Sequence, residues 1–121
     1  MPAKDPITTS VSHADGVAVL AITGEIDLAT IPAFERAIAD ALTQRPTALI
    51  IDLSGVDFLA SAGLQALVAT HENVSGTAGF AVVADGPATS RPIELTGLDQ
   101  VLSLHSSLSA AKTAVMGSLP S

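Results

Sequence analysis

Residues 47–74 read TALIIDLSGVDFLASAGLQALVATHENV, and the fold turns on how this stretch is read. Ala48–Ile51 is a short unbroken apolar run ending in Asp52-Leu53, the pattern of a strand buried on both faces, as at the centre of a parallel sheet. Ser54-Gly55 has the chemistry of a turn. Val56, Phe58 and Leu59 then head back toward the core. Ser61 opens a helix in which Leu64, Leu67, Val68 and Val74 recur at helical spacing, with Gln65, Thr70 and Glu72 between them. The unit is strand, tight loop, helix, and the loop 54–60 lies at the carboxyl end of a strand, where open α/β sheets place their sites.

Upstream of this unit, Phe34, Ala37, Ile38, Ala41 and Leu42 make one apolar helical stripe. Pro32 fits the first turn of that helix, Asp27 or Thr30 caps it, and Arg45-Pro46 ends it. Before it, Asp15-Gly16 is a hairpin signal, because glycine accepts the positive φ of a tight turn. That turn joins an edge strand, Ile7–Ser12, to a second strand carrying Val17, Val19, Leu20 and Ile22. Downstream, residues 76–79 turn into a strand over Phe80–Ala84, which Asp85-Gly86-Pro87 breaks. Residues 91–98 suit a short helix ending at Gly97, and Val101, Leu102 and Leu104 a last short strand. Ser106 or Ser107 caps a final helix with Leu108, Ala111 and Val115 on one face, stopped by Gly117. The expected architecture is α/β: a mixed sheet of four to five strands, an N-terminal hairpin followed by parallel strands, covered by about four helices. One domain is expected over residues 7–116, between a flexible N-terminus (1–6) and a flexible tail (117–121).

At 121 residues the chain suffices for one domain and is too short for a second. Aromatic residues make up 2% of it, so the core must be built of Ala, Val, Leu and Ile, with Phe34, Phe58 and Phe80 as its large rings. A formal charge of −7 and five scattered basic residues argue against a nucleic-acid partner. Cysteine is absent, which excludes a disulfide framework, a thiolate nucleophile and a thiolate zinc site. The N-terminus lacks the apolar stretch of a signal peptide, and Val17–Ile22 falls far short of the ~20 apolar residues of a spanning helix. A cytoplasmic protein without membrane insertion is therefore expected. His13, His71 and His105 fall on different elements with no ligand spacing, Gly76–Gly79 carries no lysine for phosphate, and Ser61 lacks a nucleophile elbow. No catalytic residue, metal or cofactor is expected.

Four motifs make the chain familiar: Gly24-Glu25-Ile26-Asp27-Leu28-Ala29-Thr30 after the second strand, Asp52–Leu59 before the second helix, Ser61-Ala62-Gly63-Leu64 opening it, and Glu94-Leu95-Thr96-Gly97-Leu98 in the third. In this order and spacing, over roughly residues 8–116, they resemble the STAS domain of bacterial anti-sigma factor antagonists. The resemblance implies a partner-switching protein with no catalytic activity. It would bind an anti-sigma factor, itself a serine kinase with an ATP-binding fold, and release a sigma factor to direct transcription. The family's switch is a serine or threonine immediately before the glycine that opens the second helix. Here that acceptor position is Ala62, which has no hydroxyl to phosphorylate, and Ala60 replaces the leading acid. Ser61 is the neighbouring candidate for phosphorylation, and its expected task is to cap the helix. The expected partner surface comprises Glu25, Asp27, Leu28, Thr30, Ser54, Asp57, Ser61, Ala62, Gly63 and Gln65, with Glu25, Asp27 and Asp57 as an acidic rim for a basic patch. Weak homodimerisation is left open. Two rival functions use the same corner: docking on the ATPase of a lipid-moving ABC transporter, and sensing a nucleotide or small anion at the helix N-terminus.

Overall fold

A computed structural model describes residues 7–117. The chain runs β1 (Ile7–Ala14), β2 (Val17–Ile26), α1 (Ile31–Leu42), β3 (Ala48–Leu59), α2 (Ser61–Val74), β4 (Gly79–Val83), α3 (Ser90–Leu95), a 3-10 turn (Leu98–Gln100), β5 (Leu104–His105) and α4 (Leu108–Gly117). The strands form one five-stranded sheet in the order β1-β2-β3-β4-β5. β1 pairs antiparallel with β2 and every other pair is parallel, so the sheet is mixed as expected. The expectations for residues 1–6 and 118–121 lie outside the described residues.

The hairpin turn has positive φ at both central residues, Asp15 (54°) and Gly16 (82°), which gives its backbone the twist of the flanking strands. Helix α1 buries Phe34, Ile38 and Ala41 along its stripe and takes Pro32 in its first turn. The apolar run of β3 divides by alternation. Leu49, Ile51 and Leu53 join Leu20, Ile22, Phe34 and Leu67 in the larger core beneath α1, α2 and α3. Ala48 and Ile50 join Ala81, Val83, Ala111 and Val115 beneath α4 on the opposite face. Ser107 helps to start α4, its Oγ accepting the Ala110 N–H at 3.1 Å.

Three expectations need correction. Ser54-Gly55 is not a turn, because β3 continues through it to Leu59 beside a β2 that reaches Ile26. Asp52 Oδ1 accepts both the Ser54 N–H (3.0 Å) and its hydroxyl (2.6 Å), so the local turn chemistry is satisfied within the strand. Two register shifts against β2, between Ala21 and Thr23 and between Gly24 and Glu25, each put an extra residue into β3. Strict alternation is lost there: Val56 and Leu59 face the core, and Phe58, expected inside, is 49% exposed. At the other end of the chain, β5 shrinks to Leu104-His105. Val101 instead follows the 3-10 turn, which Gly97 introduces in the left-handed conformation (φ 76°).

Candidate functional site

The carboxyl ends of β2 and β3 lie side by side, Glu25 opposite Phe58 and Ile26 opposite Leu59, and each leads directly into a helix. The main chain itself makes the handover to α2. The Ala60 N–H donates to the Ile26 carbonyl at 2.8 Å, and the Ala60 carbonyl accepts from Gly63 (2.9 Å) and Leu64 (3.2 Å). Ala60 is thus the N-cap, extended at φ −79° and ψ 167°, and no side chain caps the helix. Ser61 was expected there; it is instead the first helical residue, exposed on the outer surface. The cap lies one residue earlier than expected, directly after the last residue of β3.

The 27–30 segment is closed by its own side chains. Asp27 Oδ1 accepts the N–H groups of Ala29 (3.0 Å) and Thr30 (3.1 Å). Thr30 Oγ1 accepts the Asp27 N–H at 2.8 Å and donates to the Glu25 carbonyl at 2.9 Å. Thr30 is only 2% exposed, so its hydroxyl braces the loop and is not offered to a partner as expected. At the tip of the braced loop Leu28 is 81% exposed. A large apolar side chain held in water on a braced turn is the kind of anchor that fills a pocket on another protein.

Gly63 is also buried, and its role is close approach. A Cβ built on it would lie 2.6 Å from Leu59 Cδ1 and 2.7 Å from Ile26 Cγ2. Glycine lets the first turn of α2 settle onto the two strand ends. The remaining expected residues separate by position. Glu25, Leu28, Asp57, Ser61 and Gln65 are exposed around the corner, and Asp27 and Ala62 are half-buried. Ser54 stands apart, five residues back along β3 from Leu59, about 16 Å at the rise of a strand, with its hydroxyl engaged by Asp52.

Sequence reasoning missed two features. One is Phe58. The other is an open groove of about 440 Å³ that starts at Ser61 and Gln65 and runs along α2 past Leu64, Val68 and Glu72, with Leu98 on its far wall. Its signal was present in the spacing of residues 61, 64, 65, 68 and 72 along one side of the helix, but nothing in the sequence said which neighbour would leave that side uncovered. Elsewhere, the His71 ring packs against Phe80 with centroids 6.1 Å apart, and its buried Nδ1 has no hydrogen-bond partner. His105 Nε2 lies 2.7 Å from Ser103 Oγ beside β5. Among the described residues no group of three or more His, Cys, Asp or Glu is placed to hold a metal ion, and no helix is long and apolar enough to cross a membrane.

Comparison with known proteins agrees with this geometry. The STAS domain family matches residues 8–111. The anti-sigma-F factor antagonist RsfB of Mycobacterium tuberculosis is 51% identical over 117 residues, covering 97% of this chain and 96% of that one. Among solved structures, an anti-sigma factor antagonist from Mycobacterium paratuberculosis superposes with a TM-score of 0.88 at 52% identity, covering 96% of this chain and 99% of the other. An anti-sigma-factor antagonist (STAS) domain protein from Planctomyces limnophilus shares the fold, with a TM-score of 0.76 at 20% identity over 89% of this chain and 97% of its own.

Proposed function

The chain belongs to the STAS domain family, and from that premise we propose that it is an anti-sigma factor antagonist, acting by binding and without catalysis. It engages a serine-kinase-type anti-sigma factor with an ATP-binding fold in the cytoplasm and so frees a sigma factor for transcription. The relative at 51% identity, itself named an anti-sigma-F factor antagonist, supports this reading over an ABC-transporter subunit or an anion sensor. The observation that carries it is the end of the sheet where β2 and β3 hand over to α1 and α2, with Ser61 exposed in the first turn of α2 and two apolar side chains, Leu28 and Phe58, left in water. Glu25 and Asp57 ring these anchors with negative charge, which suits a partner presenting an apolar pocket with a basic rim. Self-association belongs to a different element.

At position 62, the acceptor position the resemblance implies, Ala62 offers no hydroxyl. Ser61 is relieved of capping, so its exposed hydroxyl is the one through which phosphate would act. A phosphate there would sit at a helix N-terminus, where negative charge is tolerated, and would bring about −1.5 to −2 charges onto the contact surface. The helix would stay folded while docking was repelled.

The test is binding of the anti-sigma factor to wild type, Ser61→Glu and Ala62→Glu. The signal is followed on the anti-sigma factor, because this chain has no Trp or Tyr. Both glutamates should weaken binding at least tenfold with far-UV circular dichroism unchanged. Wild-type affinity in both variants would remove the corner from the interface.

A further inference from the structure

We propose that β1 is a self-association edge, through which two copies of this chain join their sheets in antiparallel fashion about a two-fold axis. Among the described residues β1 is a free edge of the sheet, eight residues long, and beyond Ile7 every residue on it is exposed. Its pairing with β2 is unbroken from Ile7↔Gly24 to Ala14↔Val17, so no bulge twists the outer side away. Proteins usually blunt such an edge with lysine, proline, inward charge or a bulge. The sequence ITTSVSHA contains no Lys, Arg, Asp, Glu or Pro.

The register defines what the edge offers. Asp15-Gly16 is a two-residue turn with φ positive at both positions, which places an Ala14 C=O to Val17 N–H bond across its mouth. Alternation along an antiparallel ladder then directs the N–H and C=O groups of Ala14, Ser12, Ser10 and Thr8 toward β2. Those of His13, Val11, Thr9 and Ile7 point outward. With Ser10 on the two-fold axis, all of these outward groups are used: Ile7 pairs with His13 and Thr9 with Val11 across the junction. Val11, 45% exposed in the single chain, gains a β-branched neighbour. On the other face Ser10 meets Ser10, and Thr8 meets Ser12.

Two features make the occupant a second copy. The chain carries a formal charge of −7, and the uncharged run of β1 lets two such chains approach without setting like charges opposite each other. The opposite edge of the sheet, β5, is two residues long and lies beside α4, so β1 of one copy has no matching ladder on β5 of another. Head-to-tail growth is blocked, and β1 on β1 closes as a pair. A ladder of this length buries less than the ~1,200 Å² of a standard stable interface, so the dimer forms at a protein concentration on the order of 0.1–1 mM. It does not depend on which protein binds the corner at Ser61.

Sedimentation with interference optics, across roughly 10 µM to 1 mM, is the test. Wild type should move from monomer toward dimer mass with little effect of salt. Val11→Lys, which sets a charge at mid-edge, and Val11→Pro, which removes an outward N–H and none directed at β2, should both remain monomers. Amide exchange on wild type alone gives a second reading: the N–H groups of Thr9, Val11 and His13 should slow as concentration rises, while those of Ser10, Ser12 and Ala14 stay constant. A wild type that remains monomeric at about 1 mM, variants that dimerise like wild type, or exchange at Thr9 and Val11 that ignores concentration would each overturn the proposal.

Discussion

Replacing Gly63 with alanine sets two effects of opposite sign against each other at the start of α2. Helix propensity favours alanine by about 1 kcal/mol. Against it stands the fit of the first turn onto the strand ends, where the new Cβ would lie 2.6 Å from Leu59 Cδ1 and 2.7 Å from Ile26 Cγ2. Carbon atoms in contact rest about 3.5–4.0 Å apart, so roughly 1 Å must be found on two sides at once. The Leu59 methyl is the end of a rotatable side chain and can yield. Ile26 is β-branched and fully buried, and its carbonyl holds the Ala60 N–H at 2.8 Å, so moving it disturbs the helix cap. Overpacking of this kind costs about 1–3 kcal/mol, which leaves Gly63→Ala destabilised by about 0–2 kcal/mol once propensity is subtracted. With a urea m-value of about 2 kcal/mol/M, the unfolding midpoint should fall by about 0.5 M at the middle of that range and ~1 M at its end. Far-UV circular dichroism reads it in a chain without Trp or Tyr. Ala69→Gly, at an exposed position of the same helix, calibrates the propensity effect alone at about 1 kcal/mol. A midpoint that rises in Gly63→Ala by the amount it falls in Ala69→Gly would mean that the close approach does not exist.

Thr30→Val keeps the shape of a buried side chain but strips the acceptor from the Asp27 N–H; it should cost about 1–3 kcal/mol and lower the melting temperature by roughly 4–12 °C, and an unchanged melting curve would show the loop braced by something else. Phe58→Ala should leave stability within about 0.5 kcal/mol, since the ring is half in water, while weakening anti-sigma factor binding tenfold or more. Titration against the anti-sigma factor checks this, and equal affinity would remove the ring from the interface.

The fold was legible because its strongest signals were local and redundant. Ala48–Leu53 could hardly be anything but a central strand, Asp15-Gly16 fixed the hairpin, and the Phe34–Leu42 stripe fixed α1. The local geometry where β2 and β3 meet their helices was legible only in part. Ser54-Gly55 carries turn residues, yet pairing with β2 and the Asp52 carboxylate hold both in the ladder, a tertiary effect that local chemistry does not announce. Two extra residues in β3 break its alternation so that Val56 is turned to the core and Phe58 is left in water, and a bulge is defined by the partner strand. Thr30 and Gly63 were correctly located at the corner. Their burial depends on which groups the loop 27–30 and the strand ends present to them, and those distances belong to the folded chain.

The start of α2 has a further consequence for how such a molecule diversifies. Its first turn is anchored through amide and carbonyl groups of Ala60, Ile26, Gly63 and Leu64, groups that any residue type supplies. The exposed side chain at Ser61 is therefore released from the task of folding. Mutation can add a charge or a bulky group there and alter which protein is recognised while the main-chain anchor beneath is kept.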